Sequence, residues 1–296
     1  MKKTVITGLV LGVFVCLCGC GGKTKQEYRL ENVVQESDTK ISCTFDGVGH
    51  SFLLDFPEKT EGAPLVLMLH GYGGTAEGFR STTRFEEEAN TLGYAVVYVT
   101  GAKDSEDATA SNGWNSGLRS TGNKDVEFLV ALAKYLQEEY GIDKEHTYAV
   151  GFSNGAFMTH RLAMEASDTF SAVVSVAGKM PERIWENRNK KNEVSVLQIT
   201  GEKDEAVPKH SDGTAKFAID PAIEDVMEYW ATSNGLEFEN KVTVGPKATL
   251  TRYGNEEKKT KVWHLFIKDA HHSWYEEEIS KVDTNGVILA FFEELK

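Results

Sequence analysis

The 296-residue chain is 41% apolar and carries 45 acidic against 32 basic side chains, for a formal net charge of −13. That balance excludes wholesale disorder, and it excludes a nucleic-acid surface, which needs clustered Lys and Arg to neutralise phosphates. The length suits one large α/β domain or two smaller ones.

The chain opens with Lys2 and Lys3 ahead of an apolar stretch, 5–17, shorter than the roughly 20 residues a helix needs to span a bilayer. This reads as an export signal rather than a transmembrane helix. Within it, Leu17-Cys18-Gly19-Cys20 resembles the bacterial lipobox, which implies cleavage before Cys20 and diacylation of its thiol. The bland alternative is an ordinary secretory signal with incidental cysteines. The lipobox reading makes the protein an exported cell-envelope lipoprotein, held to a membrane through Cys20. Gly22-Lys23-Thr24 mimics the tail of a phosphate-binding loop, but Leu17 stands where that pattern requires Gly. After processing, Cys43 is the one ordinary cysteine left, so the exported fold has no internal disulfide. It sits in an alternating run, 41–45, and reads as a buried strand residue.

Residues 20–40 form a polar, Lys/Glu-rich tether leading to an edge strand, and 41–296 the folded domain. From there strand and helix patterns alternate. Runs 41–45 and 51–56 flank Asp46-Gly47 as a hairpin. Pro64 introduces Leu65-Val66-Leu67-Met68-Leu69, a continuous apolar run of the kind covered on both faces. A helix over 79–92, ended by Gly93, leads to a buried strand over 94–99. The Gly/Ser/Asn-rich stretch 101–123 is a long loop of the kind that carries function. A helix follows at 125–140, stopped by Gly141, then a strand at 147–150, a helix from 155 to about 165 and a strand at 172–176. Strand 194–200, helix 221–233, strand 262–267 and helix 283–295 complete the series. The alternation predicts an α/β fold with a mostly parallel central sheet and helices on both faces.

The chemistry begins at Gly151-Phe152-Ser153-Asn154-Gly155, which follows an apolar strand and opens a helix. That is the setting of a nucleophile elbow: a tight turn exposes Ser153, and the glycines leave room for neighbouring backbone. A serine hydroxyl needs a base, and the base an orienting acid. Asp204 follows strand 194–200, and His272 follows strand 262–267. The order Ser, Asp, His suits this elbow. His271 competes with His272 for the base, and Glu202 and Glu205 with Asp204 for the acid. Adjacent imidazoles diverge and no ligand cluster accompanies them, so no metal is implied. The oxyanion donors predicted are the N–H of Asn154 and that of Tyr72, in the loop Leu69-His70-Gly71-Tyr72-Gly73-Gly74.

With these motifs together, the sequence resembles the α/β-hydrolase family of polyhydroxybutyrate depolymerases and the feruloyl and acetylxylan esterases of carbohydrate-esterase family 1. The matching stretches are LHGYGG (69–74), GWNSG (113–117), DVEFL (125–129), GFSNGAFM (151–158), DEAVP (204–208), HSW (272–274) and VILAFFEEL (287–295). The resemblance implies Ser153 as nucleophile, Asp204 as acid and His272 as base, with no cofactor. It also implies Trp114 as an aromatic at the mouth of the site, the alternative being a loop residue buried against the domain. Trp274 and His70 join it as substrate-binding candidates, His70 having loop orientation as its other role. Two features depart from the family: Asp269-Ala270-His271 precedes the His motif, and the paired cysteines of many secreted relatives are missing.

The expectation is a lipid-anchored serine esterase acting on feruloyl or acetyl esters of plant polysaccharide. Polyhydroxybutyrate hydrolysis comes second and a peptidase of the same fold third. A catalytically dead, glycan-binding surface lipoprotein is the rival from outside the enzymes.

Overall fold

Leu65–Leu69 (β4) has all five side chains buried, and so does Ala172–Val176 (β7). Such strands must be covered on both faces, and the computed structural model covers them. It describes residues 29–103, 111–118, 122–208, 221–275 and 281–296; the signal region and Cys20 lie outside these.

The other strands are Glu31–Gln35 (β1), Lys40–Phe45 (β2), Val48–Asp55 (β3), Ala95–Thr100 (β5), Thr147–Phe152 (β6), Ser195–Gly201 (β8), Glu237–Val244 (β9), Ala248–Gly254 (β10) and Val262–Ile267 (β11). Among the described residues they form one eleven-stranded sheet in the order β1-β2-β3-β5-β4-β6-β7-β8-β11-β10-β9. The run from β5 to β11 is parallel, while β1–β3 on one flank and β10 and β9 on the other are antiparallel. The fold is an α/β hydrolase. Since β5 and β6 lie on opposite sides of β4, the strand order reverses there, and loops at the carboxyl ends around such a point open a crevice.

Two cores sit on the two faces. One takes helices Asp125–Tyr140 (α3), Asn154–Glu165 (α4) and Ile223–Ser233 (α6), through Phe128, Leu132, Leu162 and Trp230. The other takes Ala76–Thr83 (α1), Phe85–Ala89 (α2) and Thr284–Glu293 (α7), through Phe79, Phe85, Phe291 and Phe292. A short helix, Glu182–Glu186 (α5), follows β7.

Three differences from the sequence reading have physical causes. The end of the supposed tether is strand β1, paired with β2 but with every side chain exposed, so no apolar alternation marks it. The hairpin β9–β10 was unread because β9 is exposed along almost its whole length and carries charged residues. The helix expected over 79–92 breaks at Arg84, whose φ is 46°. Buried Tyr98 supports the break. Its hydroxyl accepts from the Phe85 N–H (3.1 Å) and donates to Glu86 Oε2 (2.7 Å), so both short helices can turn a phenylalanine inward.

Two buried histidines make the fold acid-sensitive. His160 of α4 lies against β8: its Nδ1 accepts from Trp230 Nε1 (3.4 Å), so its Nε2–H donates to Gln198 Oε1 (3.0 Å). His50 is buried against Phe128. Burial pushes both imidazoles down to about 4, so both are neutral in the folded protein at neutral pH. The unfolded chain takes up these protons first, near pH 6.5, so their contribution is present above that pH and is lost as pH falls toward 4. The unfolding free energy from urea titrations, and with it the midpoint, should fall as pH drops through about 6.5 to 5, by up to about 1.4 kcal/mol per pH unit for each histidine. A midpoint constant over that range would contradict this account.

Candidate active site

Ser153 sits at φ 51° and ψ −115°, a conformation that residues with a Cβ rarely adopt. Strand β6 ends at Phe152 and α4 starts at Asn154, so Ser153 alone makes the turn. The crossing is tight. A Cβ on Gly151 would strike the Gly155 carbonyl, and one on Gly155 the carbonyls of Leu69 and His70. The Ser153 N–H donates to Val176 O of β7 at 3.0 Å, anchoring the turn to the sheet.

Asp204 and His272 follow β8 and β11, which are parallel neighbours, so their loops leave the sheet side by side. Backbone bonds stitch them together: Glu202 N to Ile267 O (2.9 Å) and Lys203 N to Ala270 O (2.8 Å). Side chains continue the seam, with Lys203 Nζ 2.6 Å from Asp269 Oδ1 and the Asp269 N–H donating to Glu202 Oε2 (2.9 Å).

The seam delivers three side chains to one point. His272 Nδ1 lies 2.9 and 3.1 Å from the two carboxylate oxygens of Asp204, and its Nε2 lies 3.0 Å from Ser153 Oγ. Since a carboxylate only accepts, Nδ1 carries the proton and Nε2 faces the serine as an acceptor. Asp204 is buried, and its Oδ1 also accepts from the N–H groups of Ala206 (3.0 Å) and Val207 (2.7 Å). His271 faces outward to Glu205 at 3.1 Å, both side chains well exposed. The structure therefore brings Ser153, His272 and Asp204 together, and gives His271, Glu202 and Glu205 other partners.

Loop 69–74 lies over the serine: a Cβ on Gly71 would be 3.3 Å from that of Ser153. Tyr72, on this loop, is 52% exposed. Asn154 opens α4, where the first N–H groups of a helix lack intrahelical acceptors.

The three substrate-contact candidates require correction. Trp114 is buried, and its Nε1–H donates to His70 O (2.8 Å) instead of meeting solvent at the mouth. His70 is 1% exposed: its Nε2 accepts from the Gly101 N–H (2.9 Å), so its Nδ1–H donates to Gly71 O (2.7 Å). Burial holds its imidazole below the usual range, against the raising effect of the Gly71 bond. Trp274 is also buried, edge-on to Phe79 with its indole toward Asn285. An aromatic in a Gly-rich loop is equally legible as a stacking platform and as a core plug, and here the loops need plugs.

Two side-chain roles were missed. The exposed aromatic beside the Ser153 turn is Tyr72, whose ring lies against Gly113, as does Asn154 Oδ1. The Asn154 side chain is a clamp. Its Oδ1 accepts from the Trp114 N–H (2.7 Å), and its Nδ2 donates to Ser116 Oγ (3.0 Å) and Trp114 O (3.3 Å). The sequence signal was available in the pairing of GWNSG with GFSNG, but nothing in one sequence says that the two loops touch.

Residues 50–186 match the family model described as Esterase PHB depolymerase. That stretch holds the loops of Tyr72, Trp114 and Ser153, while Asp204 and His272 lie beyond it. The chain is 36% identical over 172 residues to NocK of Nocardia uniformis subsp. tsuyamanensis, provisionally named an esterase, covering 56% of this chain and 47% of that one. It is 30% identical over 150 residues to feruloyl esterase B of Talaromyces funiculosus, covering 49% and 41%. It thus spans less than half the length of either curated relative. Among solved structures, the acetyl xylan esterase from Aspergillus awamori shares the fold at a TM-score of 0.61 and 13% identity, over 83% of this chain and 94% of that one.

A Trp114→Phe variant tests the corrected role, since it keeps a ring but loses the bond to His70 O. Ester turnover should fall several-fold as the loop loosens, with KM for an aryl ester within about twofold, since a lost hydrogen bond costs about 1 kcal/mol. A selective rise in KM for aryl esters would restore the stacking role.

Proposed function

We propose that the protein is a serine carboxylic-ester hydrolase working through an acyl-enzyme. What supports this reading above all is His272, bonded to Ser153 through one ring nitrogen and to Asp204 through the other. Ser153 Oγ attacks the ester carbonyl while His272 Nε2 takes its proton. Buried Asp204 holds the imidazole in the required tautomer and stabilises its cation. The N–H groups of Asn154 and Tyr72 receive the oxyanion, and the dipole of α4 favours the same charge. His272 then returns the proton to the leaving alcohol. A water activated by the same nitrogen releases the acid.

The substrate proposed is a feruloyl or acetyl ester on plant polysaccharide. The names of the relatives support it, as does Tyr72, an exposed ring able to stack on an aryl acyl group. Aliphatic polyester is the second reading, favoured by the description of the matched family. The proposed location is the outside of a membrane, held by acyl chains on Cys20. The acid excess fits such an anchor, because anionic headgroups repel a negative surface.

A fluorophosphonate probe should label the wild-type protein and not Ser153→Ala, and Asp204→Asn should lower kcat about 10⁴-fold. Absent labelling of wild type, or equal labelling of the alanine variant, would sink the enzyme reading in favour of a glycan-binding scaffold. Rates on methyl ferulate, acetylated xylan and hydroxybutyrate oligomers then separate the substrate classes. For the anchor, Cys20→Ser should move the protein from the detergent phase to the aqueous phase on Triton X-114 partition; partition unchanged by the substitution would refute lipidation there.

A further inference from the structure

Alternation along β6 sends Tyr148, Val150 and Phe152 to the face of the sheet that carries α1 and α7, and Ala149 to the other face. Tyr148 and Val150 are wholly buried there, whereas Phe152, the last residue of the strand, is only partly buried. It stands at the carboxyl edge of the sheet, one residue before Ser153.

Three neighbours define what its ring does there. A Cβ on Gly71 would lie 3.1 Å from Phe152 Cδ1 and 3.4 Å from its Cε1, so the ring fills the room that Gly71 leaves by having no side chain. The rings of Phe152 and His272 have centroids 5.1 Å apart and planes inclined at 34°, nearer to parallel than to edge-on. The remaining edge of the ring packs on the core that holds Trp274 and Tyr275, which follow His272 in the chain. Phe152 is thus wedged between the loop of Tyr72 and the imidazole of His272, with the core behind it.

The imidazole needs such a brace. Its bonds to Asp204 and Ser153 fix where the two nitrogens lie, but they resist a tilt about the line joining those nitrogens only weakly. A ring packed against the imidazole opposes that tilt directly. The aromatic face is also negative, and it attracts a cation whose centre comes within about 6 Å. In the proposed reaction Nε2 takes the Ser153 proton, so the attraction grows as the barrier is climbed and raises kcat rather than affinity.

We propose that Phe152 is a positioning residue, which holds the His272 imidazole in line with Ser153 and Asp204 and favours its cation through the face of its ring. The effect on turnover rests on the esterase reading; the hold on the imidazole does not.

Two variants and two measurements test this. Phe152→Met keeps apolar bulk without a ring, and Phe152→Tyr keeps the ring. With p-nitrophenyl acetate, Phe152→Met should lower kcat about threefold to tenfold and leave KM within about twofold, and Phe152→Tyr should recover most of the loss. The second measurement needs no turnover. The proton NMR signal of the His272 Nδ1–H, assigned by its absence in His272→Ala, should exchange with water several-fold faster in Phe152→Met than in wild type or Phe152→Tyr. A kcat for Phe152→Met equal to that of wild type, equal losses in both variants, or an unchanged exchange rate would overturn the proposal. A wild type that neither hydrolyses the ester nor takes up a fluorophosphonate probe would remove the esterase reading; faster exchange in Phe152→Met would then still sustain the brace, and unchanged exchange would sink it.

Discussion

A residue with a Cβ held at φ 51° and ψ −115° stores on the order of 1–3 kcal/mol, and it persists only where its surroundings leave the chain no other course. Around Ser153 those surroundings begin with two absences of side chain, at Gly151 and Gly155, which let β6, α4 and the end of β4 meet backbone to backbone. The Ser153 N–H bonds to β7, and the Asn154 side chain grips the Trp114 loop. Behind the turn, α4 buries Phe157, Met158 and Leu162 completely or nearly so. Hydrophobic burial over the sheet supplies the energy that holds the turn in place.

The same logic explains the buried polar groups nearby. His70 bridges the Gly71 carbonyl and the Gly101 N–H, tying the ends of β4 and β5 together. Trp114 closes the His70 carbonyl from the other side. Arg161 of α4 reaches the Asn115 carbonyl, and Asn115 N–H donates to Asp125 at the start of α3 (2.6 Å). The loops around Ser153 are thus stiffened from below by side chains hidden from solvent. Their orientation is fixed by hydrogen bonds whose failure would leave groups buried and unpaired.

The central strands were legible because a strand covered on both faces must be apolar throughout, as Leu65–Leu69 is, and helix α3 because its spacing and Gly141 stop are unambiguous. The candidate site was legible in the GFSNG turn and in Asp204 and His272 just past their strands, three side chains that the fold brings within hydrogen-bond distance. What escaped was whatever depends on contact across the chain. Nothing local distinguishes a tryptophan that plugs a loop from one that faces a ligand, and only the bond from Trp114 to His70 O separates them. Nor could the pattern of β9 announce a strand, since a fully solvated edge leaves its alternation unenforced.

The sheet's two rims carry one more consequence. A wide open sheet ends in rows of backbone donors and acceptors, and such rims invite other chains to extend them. At one rim, β9 sets Glu237, Glu239 and Lys241 in water, so an identical strand laid alongside would have to bury or juxtapose their charges. At the other, β1 is only five residues long and its register slips between Glu31 and Val34, leaving too short and uneven a template to copy. Each end of the sheet carries its own stop against fibre growth.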